Sequence, residues 1–130
     1  MPITYLRDLV EQAHWIVIGE VVTIEDRPDI LDQFGFPVKI AKIKPYKFFK
    51  GAQESEFSFK FNDLWADQAV FALNESYLLF IEKAAKGPHV GYLGTLKITN
   101  DTVSTWEIWG EPETQLLNII IEKIKKLLEK

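Results

Sequence analysis

The stretch WIVIGEVVTI, at residues 15–24, decides the fold. It is rich in β-branched residues and shows no helical spacing of apolar side chains, so it predicts a long and largely buried β-strand. Gly19 lies in the middle of this strand. A glycine at such a position indicates a bulge or the close approach of another chain segment.

Helices are predicted at both ends of the chain. Apolar residues repeat at helical spacing behind the candidate N-cap Thr4, which predicts a short helix from Tyr5 to about His14. Residues 110–113 open a second helix that runs to Lys130, with acidic residues at its start and lysines near its end, as the helix macrodipole favours. We expect its broad apolar stripe to pack against the β-structure.

Further strands are predicted between the helices. The apolar phase of residues 36–49 changes near Ala41, which predicts a β-bulge there. Asn100-Asp101 marks a hairpin turn between residues 93–99 and 102–109. Residues 25–35 and 83–91 are predicted to be connections, whereas strands are predicted at residues 57–61 and 77–81.

Composition sets the class of protein. The chain has 130 residues, 47% hydrophobic and 26% charged, which is typical of one globular domain, here residues 1–130. It has no cysteine, which excludes disulfides, thiolate zinc sites, iron–sulfur clusters and a cysteine nucleophile. It shows neither a secretory signal nor an apolar run long enough to span a membrane, so we expect a soluble protein, either cytoplasmic or a trimmed secreted domain.

Four stretches together resemble the netrin/TIMP-like domain family: IVIGEVV at 16–22, YKFFKG at 46–51, YLLF at 77–80 and GTLKI at 94–98. They occur in the order and spacing of that family and cover nearly the whole chain. The resemblance implies a mainly β (α+β) fold, a five- to six-stranded OB-like Greek-key barrel flanked by an N-terminal and a C-terminal helix.

The same resemblance implies a binding role and, by analogy, protease inhibition. Inhibitors of this family chelate a metalloprotease zinc through an N-terminal cysteine. This chain begins Met1-Pro2 and has no cysteine, so no inhibitory residue carries over to it.

Motifs of catalysis are missing from the sequence. There is no nucleophile elbow, P-loop or dinucleotide-binding glycine pattern. His14 and His89 lack metal-ligand spacing, and the acidic residues between Glu25 and Asp32 lack the spacing of a calcium loop. We therefore expect a protein that is not an enzyme and has no catalytic residue, metal or cofactor.

Two surfaces are candidates for binding. The leading hypothesis is a protein partner held by Trp65, Trp106 and Trp109, because tryptophan is enriched at binding hot spots, although large aromatic side chains are also common in cores. The alternative is single-stranded nucleic acid on Lys42, Lys44, Tyr46 and Lys47, since OB barrels stack bases on aromatic side chains beside a positive groove. The net charge of −4 opposes this alternative.

Overall fold

A computed structural model of the chain describes residues 6–62, 64, 70–85, 87–91, 94–104 and 114–129. Over these residues the chain forms two helices and eight strands. In chain order they are α1 (Leu6–Gln12), β1 (Trp15–Leu31), β2 (Pro37–Lys50), β3 (Phe57–Phe61), β4 (Ser76–Ala84), β5 (Gly87–His89), β6 (Thr95–Thr99), β7 (Thr102–Ser104), β8 (Thr114–Leu116) and α2 (Leu117–Leu128).

The strands form a mainly antiparallel arrangement around β1. Seven of them follow one another in the order β3-β2-β1-β4-β6-β7-β8, and the short β5 pairs with β4. The predicted class, mainly β with a helix at each end, is confirmed. Within the described strands the sheet does not close on itself, although Cα atoms of β3 and β5 approach to within 8 Å.

Two hydrophobic clusters cover opposite faces of β1 and β4. Val17 and its cross-strand partner Leu79 point into a cluster that contains the three phenylalanines of β3. Ile16 and its partner Phe80 point the other way, into a cluster formed with both helices. Residues 15–18 and 77–81 are therefore buried on both sides, as their continuous apolar sequence predicts.

Helix α2 covers the second face of the sheet, which confirms the prediction that its apolar stripe packs against the β-structure. Ile120, Ile121 and Ile124 are buried there with Leu78 and Leu96. None of the helices in the described residues is long and apolar enough to cross a membrane.

The predicted start of α2 is wrong. Residues 114–116 form β8, which pairs with β7, and the helix begins at Leu117 with no acidic residue in its first turn. Pairing with β7 thus holds residues 114–116 in a strand, although the sequence pattern predicts a helix there. The basic end is confirmed, because Lys125 and Lys126 lie in the last turn.

The predicted bulge near Ala41 is found at that level of the sheet, between Lys42 and Ile43, but it is not carried by β2. The extra residue is Val22, on the neighbouring strand β1, and β2 carries two further extra residues, Tyr46 and Phe49. A bulge on either strand of a pair shifts the pairing, so the change of phase in one sequence does not show which strand carries it.

Residues 25–31, predicted as part of a long connection, continue β1 instead. They pair with the start of β2 in a hairpin arm whose register is irregular between Arg27 and Leu31, around Pro28. This arm is solvated, so it lacks the apolar alternation that marks a half-buried strand. The predicted connection 83–91 likewise contains the end of β4 and β5, whereas the turn at Asn100-Asp101 is confirmed by positive φ angles at both residues.

Gly19 allows β2 to approach β1 closely, as predicted. A Cβ atom built at Gly19 would lie 2.6 Å from Ile43 Cγ2 and 3.1 Å from the Lys44 carbonyl oxygen. Because Ile43 is fully buried, it has little room to move away.

We expect Gly19→Ala to lower the free energy of unfolding by about 1–3 kcal/mol, the usual cost of an overpacked core. Chemical denaturation measures this directly. Gly91→Ala is the matched control, because a Cβ atom there meets nothing within 4 Å. Equal stability of the two variants would show that β1 and β2 separate easily at Gly19.

Arg27 and Asp29 form a bidentate pair on the hairpin arm. Arg27 Nε and Nη2 donate to Asp29 Oδ1 and Oδ2 at 3.0 and 2.7 Å. The hydrogen bonds from Arg27 lower the pKa of Asp29 from 3.8 to about 2.

Because the pKa of Asp29 is lower in the folded state, the pair stabilises the arm above about pH 3.8, and this contribution is lost as the pH falls toward 2. We expect Arg27→Gln to raise the pKa of Asp29 from about 2 toward 3.8 in a carboxyl NMR titration, because the backbone hydrogen bond that also lowers this pKa remains. Lys39→Gln, on the opposite strand of the arm, should leave it near 2. An unchanged Asp29 titration in Arg27→Gln would refute the assignment.

Candidate functional site

The residues of the leading hypothesis, Trp65, Trp106 and Trp109, lie outside the described residues. The fourth tryptophan, Trp15, belongs to the core. Its ring packs edge-on against Phe57, and its Nε1 donates to the Ala52 carbonyl oxygen at 3.1 Å.

The lysines of the alternative hypothesis form a lysine row along β2, on the face of the sheet on which Ile18 joins the second hydrophobic cluster. Lys44 lies opposite Glu20 and Lys47 opposite Ile18, and these two β1 residues share one face. Lys42, two residues before Lys44, lies on that face as well. Lys44 and Lys47 are three residues apart, so in a regular strand they would lie on opposite faces. Because Tyr46 is an extra residue between them, they share one face. Tyr46 itself is 61% exposed.

The charge of this face is mixed. Glu20 and Glu25 are exposed on β1 directly beside the lysine row. Lys47 Nζ lies 5.6 Å from the centre of the Phe49 ring, where it makes a cation–π contact. The neighbouring carboxylates reduce the positive potential that a phosphate backbone would meet.

An apolar surface that the sequence analysis missed lies at the tip of the β1–β2 hairpin. Leu31, Phe34 and Phe36 are 56%, 60% and 44% exposed, and we call them the apolar tip. The sequence signal was available, since three large apolar residues within a turn are unusual when turns favour small and polar residues. The sequence predicts Leu31 and Phe34 to lie in a connection and Phe36 to begin the next strand, so it does not group the three.

Hydrogen bonds hold the apolar tip in one conformation. Asp32 Oδ1 accepts from the backbone N–H groups of Phe34 and Phe36 at 2.8 and 3.0 Å. Its Oδ2 accepts from Asn62 Nδ2 at 2.9 Å, which ties the turn to the end of β3. Gly35, with φ of +86°, supplies the left-handed residue that the turn requires.

A cleft of about 690 Å³ lies beside the apolar tip. Its floor is apolar and is formed by Phe59, Phe61, Phe71 and Val90 of the first hydrophobic cluster. Leu31 belongs to both the apolar tip and the cleft wall, so the two surfaces are continuous.

The titratable residues that the sequence singled out have structural contacts. The ring of His14 packs edge-on against Trp15, and Asp29 and Asp32 bind Arg27 and the turn backbone. His89 lines the cleft. Across the described ranges, no group of three or more His, Asp or Glu side chains is placed to hold a metal ion.

Comparison with protein-family models, with curated proteins and with solved structures found no match to this chain. The resemblance to the netrin/TIMP-like family therefore stays a prediction from the four sequence stretches.

We expect Asp32→Ala to release the apolar tip, because three hydrogen bonds to its carboxylate are lost. Amide hydrogen exchange at Phe34 and Phe36 should become at least about tenfold faster, as the loss of about 1.4 kcal/mol implies. Asp26→Ala, on the same arm, is the control. Unchanged exchange at both amides would show that the turn backbone alone holds the tip.

Proposed function

We propose that the chain is a non-catalytic binding module whose partner is a protein, and that the apolar tip is the main contact. One observation carries the proposal: three large apolar side chains are exposed together at a turn held by buried and charged hydrogen-bond partners. Adjoining exposed apolar side chains usually mark interaction sites, whereas scattered ones do not.

The rigidity of the tip supports this reading. A surface that is already ordered loses less conformational entropy on binding, so more of the apolar contact energy appears as affinity. Asn62, only 4% exposed, anchors the turn through Asp32, and its own Oδ1 accepts from the Leu64 N–H at 3.2 Å. A binding role for the turn would explain why a buried polar side chain holds a solvated turn in place.

The finer fold assignment is part of the same proposal. We infer an OB-like arrangement, a partly open five-stranded barrel that comprises β3, β2, β1, β4 and β5. Four successive pairings join these strands, and the close approach of β3 to β5 brings the ends of the series together.

Capture from a lysate of the source organism tests the function. The immobilised domain should retain a defined protein, and Phe34→Ser should retain at least about tenfold less of it, because a buried aromatic anchor often contributes more than about 1.4 kcal/mol. Elution in high salt alone should release little of this protein, since an apolar contact is weakly screened.

Tyr46→Ser is the matched control, because Tyr46 is as exposed as Phe34 but lies on the lysine row. It should retain the protein as well as the original sequence does. Equal capture by Phe34→Ser, with both variants folded by circular dichroism, would contradict a role for the apolar tip.

The second candidate function is binding of single-stranded nucleic acid on the lysine row. The observation that favours it is the bulge at Tyr46, which brings Lys42, Lys44 and Lys47 onto one face beside an exposed aromatic ring. The same capture distinguishes the two functions. Nucleic acid released by salt and lost in Tyr46→Ser would favour the lysine row, because phosphate contacts depend steeply on salt.

A further inference from the structure

One edge of β1 has no paired strand beyond Val21. β4 pairs with β1 only from Trp15 to Glu20. Val21 then exchanges two backbone hydrogen bonds with the turn at 74–75, where Asn74 has a φ of +67°. Over residues 22–27, among the parts of the chain that the structure describes, β1 pairs with β2 alone. We call residues 22–27 the free edge.

The backbone groups of alternate residues point out from the free edge. Val21 directs its N–H and C=O away from β2, so its pair with Ile43 is not hydrogen bonded. The two kinds of pair alternate along an antiparallel ladder, and Val22 is an extra residue in β1. The next pairs of the same kind are those of Ile24 and Asp26. Their N–H and C=O groups therefore face the open side, where an added strand would bind them.

The side chains of the free edge leave it accessible. Val22, Thr23, Glu25 and Asp26 are all exposed. Edges of this kind usually carry lysine or proline, which prevent other chains from pairing with them. β1 has no lysine, and its one proline, Pro28, comes after the free edge. The charges beside the open backbone groups are therefore mainly those of carboxylates.

This negative charge selects the segment that can pair there. Glu25, Asp26 and Asp29 are the carboxylates of this part of β1, and its one cation, Arg27, already binds Asp29. The lysines of β2 lie one strand spacing, about 4.8 Å, further from the open side. A second copy of the chain would place carboxylates opposite carboxylates, which destabilises strand pairing. A segment with lysine or arginine places opposite charges together instead.

We propose that a basic, extended segment of a partner protein adds to the free edge as a β-strand, bonded to the backbone of Ile24 and Asp26. Its lysine or arginine side chains lie beside Glu25 and Asp26. The added strand takes the position next to β1 that β4 leaves after Glu20. This inference goes beyond the proposed function, because the contact is made by the backbone of β1 and not by the apolar tip.

The test is an NMR titration of the whole chain with the hexapeptide Lys-Val-Lys-Val-Lys-Thr, acetylated and amidated at its ends. We expect saturable amide shifts centred on residues 22–27 and slower hydrogen exchange at Ile24 and Asp26. The peptide with glutamate in place of lysine should bind at least about tenfold more weakly, because its charges repel Glu25 and Asp26. The lysine peptide with every backbone nitrogen methylated should not bind, since it has no N–H donor.

Charge reversal on the free edge tests the selection of a basic segment. Glu25→Lys with Asp26→Lys should weaken binding of the lysine peptide about tenfold. Glu122→Lys with Glu129→Lys is the matched control, because it changes the net charge equally on the exposed side of α2. The control should change the affinity less than twofold, since these charges are screened from β1 by salt.

A proline on the free edge tests strand addition itself. Asp26→Pro removes an N–H group that faces the open side, so it should abolish binding while the hairpin amide shifts of β2 are retained. Asp26→Asn removes the charge and keeps the N–H, so it should weaken binding only about threefold.

Three results would overturn the proposal. No shift at residues 22–27 would show that the carboxylates only protect the edge, and equal binding of the methylated peptide would show that side chains alone make the contact. Shifts confined to the apolar tip would place the peptide elsewhere. Phe34→Ser should leave the titration unchanged. Because that variant is the one that should lose the protein partner, failure of one proposal can be told from failure of the other.

Discussion

The segment Trp15–Ile18 of β1 contacts two hydrophobic clusters at once, and the other elements are arranged around this contact. Its odd-numbered side chains pack with the aromatic residues of β3, and its even-numbered ones pack with α1 and α2. Because a β-strand alternates its side chains, a one-residue shift in register would exchange these two environments. The register of β1 against β2 and β4 is therefore strongly determined, and so is the position of everything attached to them.

Bulges then decide which polar residues share a surface. Tyr46 and Phe49 are extra residues in β2, so Lys44, Lys47 and Lys50 lie on one face at spacings of three residues. Lys50 is the last lysine of this series. Its Nζ donates to the Val10 carbonyl oxygen at 2.8 Å, at the end of α1. A cation there is favoured by the negative end of the helix dipole, so this lysine connects the sheet to the helix.

The candidate binding surfaces lie where the sheet is incomplete. The β1–β2 hairpin extends beyond the part of the sheet that is buried on both faces, and its end carries the apolar tip. β3 and β5 approach each other without pairing, and the cleft lies beside them. Asp32 and Asn62 join these two features, because one hydrogen bond between their side chains holds the hairpin turn against the end of β3. Binding residues are often carried by loops that a rigid scaffold positions, as this hydrogen bond positions the turn.

The sequence by itself determined the buried strands, the helix at each end and the turn at Asn100-Asp101, because apolar runs, helical spacing and turn residues are local signals. The tertiary structure decided the rest. Whether residues 25–31 are loop or strand depends on β2 across the hairpin, and whether residues 114–116 are helix or strand depends on β7. The cleft and the surface of the lysine row depend on pairing partners and bulges far apart in the sequence, and no local pattern records such distant contacts.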